Sequence, residues 1–238
     1  MAYWLLKLVL TPILFCTYRV RVEGSEHLPE RGPVILAANH RSFLDSIFIP
    51  LVLRRRITFV AKAEYFDDPK TAWFFRAVGQ IPVRREGGSA AEGALIAATQ
   101  VLARGGVFGI YPEGTRTRDG YLHRGHTGVA RLALATRAPV VPVGLIGTDD
   151  VQPTDRKLPR LFRTVRVRFG EPLPLSHYEG REHDRLVLRQ VTDELMFEIR
   201  ELSGYEYVDA YSTSSRGGGA HELPEPRAVV APLESIAS

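Results

Sequence analysis

From residue 18 to residue 202 the chain alternates short runs of β-branched and aliphatic residues with longer stretches at helical spacing, which restricts it to a layered α/β fold. The apolar runs at residues 18–22, 34–38, 57–61, 107–111, 140–145 and 165–169 each predict a strand. Residues 43–53, 70–78, 89–103, 128–136 and 184–202 read as helices, the third capped by Ser89. The expected fold class is α/β, a single domain with a mixed β-sheet flanked by helices, over residues 19–211. With 238 residues, 45% of them hydrophobic, the chain has material for one large core, and wholesale disorder is excluded. Charged residues at 24% and a mean hydropathy of −0.08 exclude a polytopic membrane protein.

The two ends differ from the body. Residues 1–18 are nearly all apolar, but Lys7 and Pro12 interrupt them and the run is shorter than the roughly 20 residues that span a bilayer. No basic segment precedes it and no small-residue cleavage site follows, so a secretory signal is a poor fit. Tyr3, Trp4, Leu5, Leu8 and Phe15, with Arg19 and Arg21 behind them, predict a membrane-associating helix lying in one leaflet; a buried core helix is the alternative. Residues 212–238 are rich in Ser, Gly, Pro and Ala and are expected to form a disordered, dispensable tail. The lone Cys16 excludes an intrachain disulfide and a cysteine-built zinc site, and makes a reducing, cytoplasmic-side location the default.

Lys and Arg outnumber Asp and Glu by 31 to 27, a net charge of +4 that fits anionic partners in general. No nucleic-acid motif and no stacking aromatics in a basic stripe accompany it, so a nucleic-acid partner is not expected. Only four of the cations are lysines. Codon bias explains that more simply than phosphate binding, although arginine is the side chain suited to forked phosphate contacts.

Four segments carry chemistry or its frame. Asn39, His40, Arg41, Ser42 and Asp45 follow a predicted strand and precede a predicted helix, where α/β folds place functional groups. His40 can take a proton from a hydroxyl, and Asp45, five residues on, can fix its tautomer. A capping box from Ser42 to Asp45 is the plain alternative. Residues 108–118 form a second strand and loop, in which Gly114, Thr115 and Arg116 offer a phosphate cradle. Glu113 there would orient an arginine or accept a bond from a substrate hydroxyl. A solvated turn through Asp119 and Gly120 competes with that reading. Lys62 closes the third strand, and Arg84 and Arg85 close the short segment from Gly79; they complete an anion site or decorate a surface strand. Residues 139–144, with Pro139 and Pro142, suit an edge strand or strand ends, for packing or for lining an apolar channel.

In order and spacing these four segments resemble the glycerolipid acyltransferase superfamily, most closely its 1-acylglycerol-3-phosphate O-acyltransferase branch, over roughly residues 34–144. The resemblance implies that His40 is the general base on the acceptor's glycerol hydroxyl and Asp45 its orienting carboxylate. It makes Arg85 a phosphate-contacting residue, and Glu113, Gly114, Thr115 and Arg116 an acceptor-binding loop. Asn39, Lys62 and Arg84 join the substrate-binding set. It also implies an acyl-CoA or acyl-carrier-protein donor, lysophosphatidic acid as acceptor, the sn-2 hydroxyl as the site of transfer, and no metal or cofactor. The site of action would be the cytoplasmic face of the cell membrane. Thr117 stands where the family commonly has serine, and His126 where lysine is expected; His126 would bind phosphate only when protonated, with Arg124 beside it to compensate. Because a thioester is already activated, no covalent enzyme intermediate is needed, and main-chain N–H groups near His40 are expected to hold the oxyanion. The competing readings are a different acceptor (glycerol 3-phosphate, another lysophospholipid or a glycolipid) and, in another class, a non-catalytic lipid-binding module.

Overall fold

The run Val34–Ala38 is buried along its whole length because it lies inside a sheet covered on both faces. Val34, Leu36 and Ala38 join one apolar cluster and Ile35 and Ala37 another, the period of two that a strand imposes. The computed structural model describes residues 2–83, 90–153, 156 and 158–212.

The elements follow in chain order as α1 (Ala2–Thr17), β1 (Arg19–Glu23), β2 (Val34–Ala38), α2 (Asp45–Val52), β3 (Ile57–Lys62), α3 (Glu64–Asp67), α4 (Pro69–Ala77), β4 (Ile81–Val83), α5 (Ala90–Ala103), β5 (Val107–Ile110), β6 (Leu122–His123), α6 (Gly128–Thr136), β7 (Val140–Ile146), α7 (Thr148–Val151), β8 (Thr164–Phe169), α8 (Arg185–Ser203) and β9 (Tyr207–Val208). Seven strands form one sheet in the order β1-β8-β7-β2-β5-β3-β4. Every neighbouring pair is parallel except β7 with β8, so the sheet is mixed, as the alternation predicts. One face carries Leu14 of α1 and Phe48 and Ile49 of α2; the other packs on α5, α6 and α8. Helix α8 is amphipathic, burying Val187, Leu188, Val191, Leu195, Met196 and Ile199 at intervals of three and four. The Asp184 carboxylate accepts from the N–H groups of Leu186 and Val187 at its start.

Several expectations are corrected. Pro142 does not mark an edge: β7 lies between β2 and β8. The ladder with β8 begins at Val143, so the missing N–H removes no rung from it. Strand β4 lies in the short segment that Arg84 and Arg85 close, where a surface strand was one of the two readings, whereas the two-stranded pair β6-β9 was not expected, being too short to show a period. Helix α2 begins at Asp45 rather than at residue 43, because the preceding residues turn around the Asp45 carboxylate. Tyr3, expected in the interface, is buried against the body with the Arg56 guanidinium 5.4 Å from its ring. Lys7 interrupts the apolar run for a structural reason: its ammonium donates to the Pro50 carbonyl at 3.0 Å and to that of Leu53, at the end of α2. No helix among the described residues is long and apolar enough to cross a membrane. Ser89 and the tail from residue 213 lie outside the described residues.

Candidate active site

Strands β2 and β5 are parallel neighbours, so the loops that follow them leave the sheet at the same edge. His40 and Asp45 sit in the first loop and residues 111–118 in the second. His40 Nδ1 lies 2.8 Å from Asp45 Oδ2, and the same oxygen accepts from the main-chain N–H of Arg41 at 2.7 Å and of Ser42 at 2.8 Å. Asp45 is fully buried and the His40 side chain is 16% exposed. A carboxylate held by two amide donors presents an acceptor to Nδ1, which fixes the proton there and leaves Nε2 as the basic nitrogen. His40 lines a cavity of about 1260 Å³.

The second loop grips the main chain of the first. Glu113 Oε1 accepts from His40 N–H at 3.0 Å and Oε2 from His123 N–H at 2.9 Å. Thr117 N–H and its hydroxyl both donate to the His40 carbonyl, at 2.9 and 3.2 Å. Burial pushes the Glu113 carboxyl up to about 7, against the opposing effect of those two N–H donors. Tyr111 stacks on the His40 ring at 3.8 Å with planes 10° apart and bonds Ser46 Oγ through its hydroxyl at 2.8 Å. Phe59 stacks on the far side of Tyr111, and Gly109 makes room for it: a Cβ there would fall 2.2 Å from the Phe59 ring. The imidazole is thus held by a carboxylate at one nitrogen, a ring on its face and hydrogen bonds on both sides of its peptide.

The cavity is lined by both cationic and apolar side chains. Around Gly114, Thr115 and His126 it is lined by Arg116, Arg118 and Arg131, none of which pairs with a carboxylate among the described residues. It is also lined by apolar side chains, among them Leu6 and Leu10 of α1, Phe43, Ile47 in α2 and Phe75 of α4, together with the charged Lys7 and Glu64. Gly114 takes a left-handed φ of 73° and brings the loop against His126, whose ring would sit 3.0 Å from an added Cβ. His126 also stacks on Tyr211 at 4.7 Å. Burial, and then the nearby Arg189 charge, lower its pKa, so it is neutral at neutral pH.

His40, Gly114, Thr115, Arg116 and His126 therefore meet in one cavity, with Asp45 behind His40. Two residues of the expected acceptor-binding set do not line it. Asn39 is fully buried and clasps Leu145 on β7, donating to its carbonyl at 2.9 Å and accepting from its N–H at 2.7 Å. Glu113 is buried with both oxygens taken by main-chain donors. Both side chains spend their polar atoms on the frame. Arg84, Arg85 and the Lys62 side chain lie outside the described residues. The N–H groups of His40, Arg41 and Ser42 all point at carboxylates, so these three do not supply the expected oxyanion donors. Arg124 does not stand in for His126: it lies over the Tyr211 ring and pairs with Asp209 at 3.5 Å. Sequence reasoning missed Tyr111, Arg118 and Arg131, the last on α6 with no local motif to reveal it.

At the end of parallel strands, an imidazole oriented by a buried carboxylate opens on a cavity lined by both cationic and apolar side chains. The model of the acyltransferase family matches residues 19–146, and the chain belongs to that family. It is 30% identical over 172 residues to a chloroplastic 1-acyl-sn-glycerol-3-phosphate acyltransferase of Arabidopsis thaliana, covering 72% of this chain and 48% of that protein. It is 29% identical over 190 residues to the 1-acyl-sn-glycerol-3-phosphate acyltransferase of Bacillus subtilis, covering 77% of this chain and 87% of the other. The chain spans about half the length of the plant relatives it matches. The crystal structure of the 1-acyl-sn-glycerophosphate acyltransferase PlsC from Thermotoga maritima superposes with a TM-score of 0.60 at 28% identity, covering 82% of this chain and 76% of that one.

Proposed function

We propose that this chain transfers a fatty acyl group from a thioester, acyl-CoA or acyl-carrier protein, to the sn-2 hydroxyl of 1-acylglycerol 3-phosphate, giving phosphatidic acid. The observation that carries the reading is the sharing of one cavity by the His40 ring, three arginines without carboxylate partners and an apolar wall. The names of the similar proteins support the same acceptor. In this mechanism His40 Nε2 takes the proton of the acceptor hydroxyl as its oxygen attacks the thioester carbonyl. The C–S bond then breaks, and the imidazolium returns the proton to the departing thiolate. Asp45 holds the tautomer and faces the imidazolium charge that develops on the ring. The Tyr111 ring face favours the same charged form. Arg116, with Arg118 and Arg131, grips the phosphate and sets the hydroxyl against His40, while the acyl chains take the apolar part.

The same reading gives α1 a role at the cytoplasmic face of the membrane, as a peripheral helix. Leu5, Leu8, Val9, Pro12, Ile13 and Cys16 recur on its outward side without a charge among them, and Leu8 is 72% exposed. The test of the function is the mass of the lipid made by purified protein from acyl-CoA donors and a panel of lysophosphatidate, glycerol 3-phosphate, other lysophospholipids and a glycolipid. Phosphatidic acid formed from lysophosphatidate in preference to every other product is the expected result. Preference for another acceptor would correct the substrate, and lipid binding without thiol release would replace the enzyme reading by a binding module.

A further inference from the structure

We propose that residues 158–163, just before β8, form a second membrane-docking element, one that seats Leu158, Leu161 and Phe162 in a lipid surface and places Arg160 and Arg163 at its phosphates. This rests on the reading that the chain acts on membrane lipid, and it adds a site to α1. Leu158 is 80%, Leu161 55% and Phe162 72% exposed. Three large apolar side chains within five residues, all outward, form a patch that water does not favour. Phe162 moreover holds a φ of 59°, a left-handed conformation that costs a bulky residue on the order of 1 kcal/mol and that a glycine would adopt freely. The ring itself stands in solvent, so its own packing does not offset that strain.

The occupant is identified by what surrounds the patch. Arg160 and Arg163 alternate with the apolar residues, and Arg19 lies beside them, its N–H bonded to the Arg163 carbonyl at 3.0 Å. None of the three pairs with a carboxylate among the described residues, which suits a surface of lipid phosphates. The segment is also stitched to α1: Phe162 N–H donates to the Thr17 carbonyl at 3.1 Å, at the end of the helix whose outward side is uncharged. The inward side of that helix, at Leu6 and Leu10, lines the cavity. A second copy of the protein would find unpaired arginines facing their own kind, which argues against it as the occupant.

Flotation of the full chain with vesicles of phosphatidylcholine, with and without phosphatidylglycerol, tests this. The comparison uses a Leu158→Ser, Leu161→Ser, Phe162→Gly variant, an Arg160→Gln, Arg163→Gln variant and, separately, a Leu5→Ser, Leu8→Ser variant. All the changed side chains are at least partly in solvent, so melting temperatures should stay near the parent's. The triple variant is expected to bind about a thousandfold more weakly, each of the three large apolar side chains seated in lipid being worth on the order of tenfold. Its turnover on a soluble short-chain lysophosphatidate without vesicles should be unchanged. The arginine variant should lose affinity only for vesicles with phosphatidylglycerol, and the difference should vanish at high salt. Binding of the triple variant within twofold of the parent overturns the proposal. So does a triple variant whose only change is the loss of a dimer in light scattering. If the α1 variant loses binding and the triple variant does not, α1 docks alone and this proposal falls by itself. A parent chain that ignores vesicles sinks both, and vesicle binding as expected with no acyl transfer leaves the docking element standing and removes the enzyme reading.

Discussion

Replacing Asp45 by Asn separates the charge of the carboxylate from its hydrogen bonds. Asp45 Oδ2 accepts from Arg41 N–H, Ser42 N–H and His40 Nδ1, whereas Oδ1 is buried without a hydrogen-bond partner. An asparagine oxygen fits the Oδ2 position, and its NH2 group is kept from turning there by two main-chain donors that would face it. The tautomer of His40 therefore survives, but the negative charge does not. With Nδ1 and Oδ2 2.8 Å apart, the charge centres of imidazolium and carboxylate lie about 4 Å apart, worth about 4 kcal/mol at an effective dielectric constant near 20. That charge pair exists only once the ring has taken the proton, so its loss falls on the transition state, about a thousandfold in kcat at tenfold per ~1.4 kcal/mol. KM for the acceptor should hardly move, because Asp45 touches no part of it. Stability should stay near the parent's, since relief of a fully buried carboxylate's desolvation is offset by an NH2 group left without an acceptor at the Oδ1 position. Thiol release from acyl-CoA with lysophosphatidate measures kcat, and a thermal melt checks the fold. A kcat within tenfold of the parent's, in a protein melting at the parent's temperature, would refute the role given to the carboxylate.

Other substitutions read other parts of the site. Arg116→Ala should raise KM for lysophosphatidate by about ten- to a hundredfold, the worth of a charge-assisted bond, and leave the melting temperature alone because Arg116 has no carboxylate partner among the described residues. An unchanged KM would remove Arg116 from the phosphate site. Glu113 binds its proton more tightly folded, near 7, than unfolded, near 4.5; stability is therefore lost as pH rises through that window, by about 3 kcal/mol. Denaturant unfolding from pH 5 to 7.5 should show that slope in the parent and not in Glu113→Gln; equal slopes would show that the carboxyl is not raised. His126→Lys places a permanent cation beside the phosphate loop and should lower KM for lysophosphatidate more at pH 8 than at pH 5, on the acid side where the parent histidine gains its proton. An equal effect at both values would place His126 away from the phosphate.

What the sequence made legible is what is local. His40 and Asp45 share one loop, five residues apart, and the strand before and the helix after them mark the place, so the pair is readable without a structure. The same holds for Gly114–Arg116 after β5. Glu113 is the instructive miss: the His40 N–H it accepts from lies 73 residues away in sequence, and nothing in a single sequence distinguishes a carboxylate that faces a ligand from one that faces a peptide. Asn39 fails for the same reason, its partner Leu145 being 106 residues away. Arg131 reaches the cavity from an exposed helix position and looks like any solvated arginine. The six longer strands were legible from their runs of β-branched and aliphatic residues, whereas β4, β6 and β9 owe their existence to neighbours rather than to a period of their own. Tyr3 and Lys7 show the limit at the N-terminus, where one helix side meets the body and the other does not, and a run apolar all round cannot say which.

The measurement that bears most directly on the account is single-turnover acyl transfer by His40→Ala, with lysophosphatidate binding followed on the same protein. Thiol release reduced at least a thousandfold while the acceptor binds within about threefold of the parent is the predicted result. Near-parental transfer by that variant would contradict the account, since a group other than His40 would then be taking the proton of the acceptor hydroxyl.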